Sequence, residues 1–207
     1  MTLWSRLRVS WQAFKTRRKL DRQFRKRQDP FSYSTDPYEI ARLDALDAAL
    51  GGAPLGRVLE AACAEGHFTE RLVRRASAVL ALDISAVALE RARRRAPSAR
   101  FAEGDLMTWD PGAEAPFDAV VVAEVLYYLD RAGVKAEFEA LFPRIASWLK
   151  PGGRLVMSHA FAGDAELAHR RSFRERFERA GLRLVSESIS GLDRGGVRCL
   201  LSALEKI

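Results

Sequence analysis

At 207 residues, 48% of them hydrophobic and 29% charged, the chain suffices for one globular domain with a full core. No run of eighteen apolar residues occurs, and the opening MTLWSRLRVSWQ has neither the apolar stretch nor the cleavage site of a secretory signal. The only cysteines, Cys63 and Cys199, are far apart and lack metal-ligand spacing, which excludes a disulfide framework and a structural zinc site, marks no metal centre and points to a reducing cytoplasm.

Charge is unevenly placed. Residues 1–27 hold ten of the 34 Lys/Arg and one of the 27 Asp/Glu, a net +9, so the other 180 residues carry a net −2. This arm, 1–28, is expected to be one basic amphipathic helix apart from the domain at 29–207. Trp4, Leu7, Trp11 and Phe14 fall on one face at spacings of three and four, Leu20 and Phe24 continue the apolar content, and Asp29-Pro30 ends the helix. Aromatic residues on one face and Lys/Arg on the others suit an anionic membrane surface, hence a cytoplasmic protein peripheral at the membrane. Nucleic acid is the weaker partner, because the domain itself is slightly acidic. Removing the arm is expected to leave a folded, cofactor-binding domain.

A second helix is expected from Pro37 to Leu50, capped by Thr35 or Asp36, with Ile40, Leu43, Leu46 and Leu50 buried and Gly51-Gly52 as its stop. Short apolar runs then alternate with amphipathic segments. Strands are read at 57–61, 78–82, 99–102, 119–122 and 154–157, and helices near 70–75, 86–95, 134–148 and 167–180. The consecutive strands 182–189 and 197–204, around a turn at Gly191–Gly196, make a hairpin. The fold class is therefore α/β: a doubly wound, mostly parallel seven-stranded sheet with a C-terminal antiparallel hairpin.

In such a sheet, ligands bind outside the carboxyl ends of the strands, where small residues let them approach the backbone. The first strand runs through Glu60-Ala61-Ala62-Cys63-Ala64-Glu65-Gly66 into a helix. The second ends at Asp83-Ile84, where a carboxylate can accept both hydroxyls of a ribose. The third is followed by Asp105-Leu106, an acid suited to an exocyclic amine, and the fourth runs into Glu124. Acidic residues at successive strand ends argue against isolated helix caps. A dinucleotide oxidoreductase would seat its pyrophosphate on the loop and helix N-terminus, where Glu65 would repel it.

These residues resemble the class I, seven-stranded methyltransferases, whose first motif is acidic-x-Gly-x-Gly-x-Gly. The resemblance implies S-adenosylmethionine as cofactor, with Asp83 and Ile84 at the ribose, Asp105 at the adenine amine and Leu106 along the ring. Glu60, Ala62, Ala64, Gly66 and Glu124 then line the methionine end. Ala62 and Ala64 replace usual glycines: with negative φ the departure costs little, and with positive φ a non-catalytic cofactor-binding relative comes into question.

EVLYYL at 124–129, with Asp29-Pro30-Phe31 and Asp36-Pro37-Tyr38-Glu39, resembles the NodS (nodulation protein S) family. That family implies methylation of a small-molecule amine, such as that of an amino sugar or oligosaccharide, favouring N- over O-methylation. Glu124, Tyr127 and His159 are the candidates to position or deprotonate the amine. Tyr127 and Tyr128 are adjacent, so one packs inward and one faces substrate. His159 is read equally as a loop residue, and Tyr38 and Arg42 equally as helix packing. RNA methylation through the basic arm is the competing enzymatic reading, although no Asn-Pro-Pro-aromatic string follows the fourth strand.

Overall fold

A computed structural model describes residues 3–52, 54–190 and 193–207. Seven strands form one sheet: β1 (Leu55–Ala61), β2 (Ala76–Asp83), β3 (Arg100–Glu103), β4 (Phe117–Ala123), β5 (Leu149–Ala162), β6 (Leu182–Ile189) and β7 (Val197–Lys206). Their order is β3-β2-β1-β4-β5-β7-β6, parallel from β3 to β5, with β7 antiparallel to both β5 and β6. This is the expected α/β class. Part of the turn expected at Gly191–Gly196 lies outside the described residues; from Asp193 on, a bridge joins Arg194 to Val197.

Apolar residues run nearly unbroken along the central strands, because both faces of the sheet are covered and successive side chains go to opposite faces. On β4, Val120 and Val122 join Leu59, Leu80 and Leu155 in a core on one face. Ala119 and Val121 join Val58, Val79 and Val156 on the other. The first core is covered by α6 (Lys135–Ser147) and α7 (Asp164–Arg179), the second by α2 (Pro37–Ala49) and α3 (Thr69–Leu72). Two elements differ from expectation: helix α3 keeps only four residues before the chain turns into β2, and the strand expected at 154–157 extends over Leu149–Ala162. The EVLYYL segment, assigned no element from the sequence, forms a single-turn helix, α5 (Leu126–Leu129).

Asp36 caps α2, its carboxylate accepting from the Tyr38 N–H at 2.9 Å. Leu43, Leu46 and Leu50 are buried as expected, but Ile40 lies at the exposed edge of the stripe. Helix α4 (Ala86–Arg95) starts at Ser85, whose hydroxyl accepts from the Ala88 N–H.

Helix α1 (Leu3–Lys26) has two apolar faces. Trp4, Leu7, Trp11 and Phe14 share one, as expected, and it points to solvent; Trp4 is 73% exposed. The opposite face carries Val9, Leu20 and Phe24 and lies on the domain, with Val9 and Phe24 fully buried. Arg17 pairs with Glu103 at 2.9 Å and donates to the Ile84 carbonyl at 3.1 Å. The Ser85 hydroxyl donates to Asp21 at 2.5 Å, and Arg91 donates to the carbonyls of Phe24 and Arg27 at 2.5 and 3.0 Å.

Candidate active site

A cavity of about 520 Å³ opens beyond the carboxyl ends of β1, β2 and β4, a size usual for small-molecule sites. Its floor is the strand ends, and its roof is the inner face of α1, from Val9 through Gln12, Thr16 and Leu20 to Phe24. Ala62, Ala64, Asp83, Ile84, Asp105, Leu106, Glu124 and Tyr127, all picked out from the sequence, line it together. Glu60, Gly66 and His159 do not.

The first loop has the backbone of a glycine-rich turn without its glycines. Ala62, Ala64 and Gly66 have φ of 62°, 49° and 78°. Both alanines are left-handed, a conformation costing an L-residue about 1–2 kcal/mol. Gly66 is required for a second reason, since a Cβ there would sit 3.0 Å from the backbone of Ala92 on α4. Bonds around the loop hold this shape: the Cys63 N–H donates to the Leu82 carbonyl at 3.0 Å, and the Ala64 N–H to Asp83 at 2.9 Å. Glu65 is buried, pairs with Arg91 and accepts from the Asp29 N–H at 2.7 Å. It is thus compensated, so phosphate repulsion by Glu65 no longer separates a dinucleotide site from this one; the antiparallel strand β7 between β5 and β6 is the better discriminator.

Asp83 is buried at the end of β2, its two oxygens accepting from the Ala64 and Ser85 N–H groups. Burial raises its pKa to about 6, against those backbone donors. Each oxygen keeps acceptor capacity beyond its one N–H donor, and the residue lines the cavity, where two vicinal hydroxyls can use it. Asp105 accepts from the Met107 N–H at 3.0 Å, and burial raises its pKa too. The Leu106 carbonyl accepts from Arg144 at 2.6 Å, which fixes the wall beside it.

Glu124 has φ of 53°, a strained position for a non-glycine residue and the kind found at functional sites. Its carboxylate accepts from the Ala160 N–H at 2.9 Å and from the Tyr127 hydroxyl at 2.7 Å. Burial raises its pKa, against the pull of Arg42. Tyr127 is half-buried, with the Arg170 guanidinium 4.4 Å from its ring centre, and burial beside Glu124 keeps its hydroxyl protonated. Tyr128 is the exposed member of the pair, at the cavity mouth.

Two sequence candidates stand behind the cavity wall. On β5 Ser158 faces Arg42, so His159 faces the other way, buried against Phe173 with ring centres 5.3 Å apart. Its Nε2 has no hydrogen-bond partner among the described residues, and burial beside Arg170 lowers its pKa to about 3. A base that weak, outside the cavity, does not deprotonate an acceptor. Glu60 is buried under the loop, accepting from the Thr69 hydroxyl at 2.5 Å, with its pKa raised by burial to about 8.

Sequence reasoning missed the wall contributed by the segment between α1 and α2 and by the first turn of α2. Phe31, Tyr33 and Glu39 line the cavity, with Arg131 after α5 and Arg194 beyond β6. Arg194 pairs with Asp36 at 2.9 Å and Glu39 at 3.3 Å, above the Tyr38 ring. Arg42 is buried and pairs with Glu39 at 2.8 Å, so it positions that carboxylate and does not line the cavity. The DPYE string was the available signal, since Asp36 and Glu39 lie three residues apart at the start of a helix.

Comparison with known proteins agrees with this geometry. Residues 58–153 match the methyltransferase domain family. Nodulation protein S of Rhizobium tropici is 34% identical over 136 residues, 64% of this chain and 55% of that one. Trans-aconitate 2-methyltransferase of Variovorax paradoxus is 34% identical over 125 residues, 58% of this chain and 46% of that one. The matches thus span about half the length of these relatives. The crystal structure of the N-methyltransferase NodS from Bradyrhizobium japonicum with S-adenosyl-L-homocysteine superposes with a TM-score of 0.80 at 26% identity, covering 92% of this chain and 98% of that one.

Proposed function

We propose that this chain, which belongs to the class I S-adenosylmethionine-dependent methyltransferases and is NodS-like, methylates the amine of a small molecule of the amino-sugar or oligosaccharide kind. The cavity fits the cofactor. Ala62 and Ala64 keep the left-handed turn at a cost in strain, the case that brings a non-catalytic cofactor-binding relative into question, and Asp83 and Asp105 offer acceptors for the ribose hydroxyls and the adenine amine. Ile84 and Leu106 supply apolar contact for the ring. S-adenosylmethionine contributes a methyl group on a positively charged sulfur, open to in-line displacement.

The observation that carries the amine reading is Glu124, a carboxylate facing the cavity at the end of β4 and locked by Ala160 and Tyr127. It gives the acceptor end a carboxylate that attracts an ammonium and orients the free amine, whereas Glu39 beside it is compensated by Arg42 and Arg194. Glu124, its pKa raised by burial, accepts the proton released as nitrogen gains the methyl group. Tyr127 holds that carboxylate in place, and the roof excludes water from the aligned centres.

A second reading, methylation of a carboxylate oxygen, is favoured by Arg131 and Arg194 at the cavity wall. Mass spectrometry of products from a glucosamine oligosaccharide and from trans-aconitate, each incubated with S-adenosylmethionine, separates the two. Methyl gain on the amine alone supports the proposal. Gain on the carboxylate alone replaces it with the second reading, and a bound cofactor with no turnover on amines or carboxylates points to a non-catalytic relative.

A further inference from the structure

Helix α1 uses one face to roof the cavity, and its other face is unpartnered among the described residues. At about 100° per residue, the inward residues Val9, Thr16 and Leu20 stand diametrically opposite a second stripe that begins at Trp4, Leu7, Trp11 and Phe14 and continues as Arg18, Arg22 and Arg25. All seven side chains of that stripe are exposed. It is apolar for its first ten residues, a length of about 15 Å, and cationic thereafter. The only acidic residue of the segment, Asp21, is turned inward to Ser85.

From this arrangement we propose that the outward stripe of α1 is a docking site for an anionic lipid bilayer, so that the roof of the cavity lies against the membrane. Charge complementarity selects the occupant. The segment carries +9, so a second copy meeting it stripe to stripe would bring like charges together. A nucleic acid would need open ring faces on which bases stack. At Trp11 and Phe14 those faces are taken, which leaves Trp4 alone to offer one: Lys15 sits 4.9 Å from the Trp11 ring centre, Arg18 5.5 Å from that of Phe14, and the two rings stack on each other at 5.8 Å. Ring edges and the Leu7 side chain remain free, which suits insertion at the boundary of headgroups and acyl chains, with the cations at headgroup level. Because the stripe is opposite the roof face, docking leaves Gln12, Thr16 and Leu20 over the cavity. No described helix is long and apolar enough to cross the bilayer, so contact is confined to its surface.

The test is co-sedimentation of the full chain with vesicles of equal parts phosphatidylcholine and phosphatidylglycerol, against phosphatidylcholine alone. Salt is raised from about 0.1 M to about 1 M, which shortens the screening length from about 10 Å to about 3 Å. Binding is expected only to the anionic vesicles and is expected to fade with salt. The double variants Trp4→Ala/Trp11→Ala and Arg18→Glu/Arg22→Glu should each lower it by roughly tenfold or more. Both variants should titrate with S-adenosylhomocysteine as the parent does, which keeps a folding defect from imitating the effect. The proposal is overturned by absence of binding to anionic vesicles, by equal binding to neutral ones, or by no change in either variant. It is also overturned if the tryptophan variant instead abolishes self-association, or binding of a single-stranded RNA, measured without lipid.

Discussion

The floor and the roof of the cavity are built on different principles. Each floor carboxylate is held by backbone donors of the sheet and its loops: Asp83 by Ala64 and Ser85, Asp105 by Met107, Glu124 by Ala160. The geometry for ligand recognition is therefore fixed before a ligand arrives. The roof is a single helix attached by the buried side chains Val9 and Phe24 and by polar links from Arg17, Asp21 and Arg91. Few buried contacts make it the element that opens at the lower free energy. Recognition belongs to the floor, and exclusion of water to the roof.

The largest expected effect is on the floor. Glu124→Gln keeps the shape and removes the proton acceptor, so turnover should fall by roughly 100-fold while cofactor affinity changes little. Tyr127→Phe should lower turnover less, because the Ala160 N–H still holds the carboxylate. Single-turnover kinetics beside cofactor titration read the two quantities apart. Equal losses of both would mean that Glu124 serves the cofactor.

Asp83→Asn comes next, with cofactor affinity expected to drop by roughly 10- to 100-fold, the scale of a lost charge-assisted hydrogen bond. Asparagine is the milder variant, because its amide oxygen keeps one of the two N–H donors, Ala64 or Ser85, whereas Asp83→Ala strips both of their acceptor and so costs more stability. A pH series sharpens the point. The folded pKa values of Asp83 and Glu60, about 6 and about 8, lie above the unfolded 3.8 and 4.5, so the folded state keeps protons that the unfolded state releases. Without cofactor, these two carboxyls should make thermal stability fall as pH rises from about 4 to 8, with His159, depressed from 6.5 to about 3, opposing them below pH 6.5. Cofactor affinity should do the reverse, growing as Asp83 ionises near pH 6. Parallel slopes would contradict the role given to Asp83.

The smallest effect is in the loop. Ala62→Gly and Ala64→Gly relieve left-handed strain while freeing the unfolded chain, for a net gain of about 0.5–1 kcal/mol in stability each. Cofactor affinity should be unchanged or higher. Loss of affinity would show that the alanine methyls contact the ligand.

The floor was legible in the sequence and the roof was not, for a physical reason. A strand end fixes where the next side chain goes, so acids after the runs at 78–82, 99–102 and 119–122 had to share one edge of the sheet. His159 defeated the same logic because it was counted to the right end of β5 but on the wrong face: alternation turned Ser158 to Arg42 and His159 to Phe173. A helix with apolar residues on opposite faces gives no such instruction. Trp4, Leu7, Trp11 and Phe14 include both tryptophans of the helix at regular spacing, so they dominated the reading, while Val9, Leu20 and Phe24 carry the contact with the domain. The buried pair Glu39–Arg42 was missed likewise, since a three-residue spacing on a helix suits a solvated pair equally well.

The account stands most directly on a calorimetric titration with S-adenosylhomocysteine of three proteins side by side: the full chain, Asp83→Asn, and a chain beginning at residue 28 whose fold is verified by circular dichroism. It predicts that the shortened chain folds, and that both altered proteins bind at least roughly tenfold more weakly than the full chain, one for want of a floor contact and the other for want of a roof. A folded shortened chain that binds as tightly as the full one, or an Asp83→Asn protein with unaltered affinity, would contradict it.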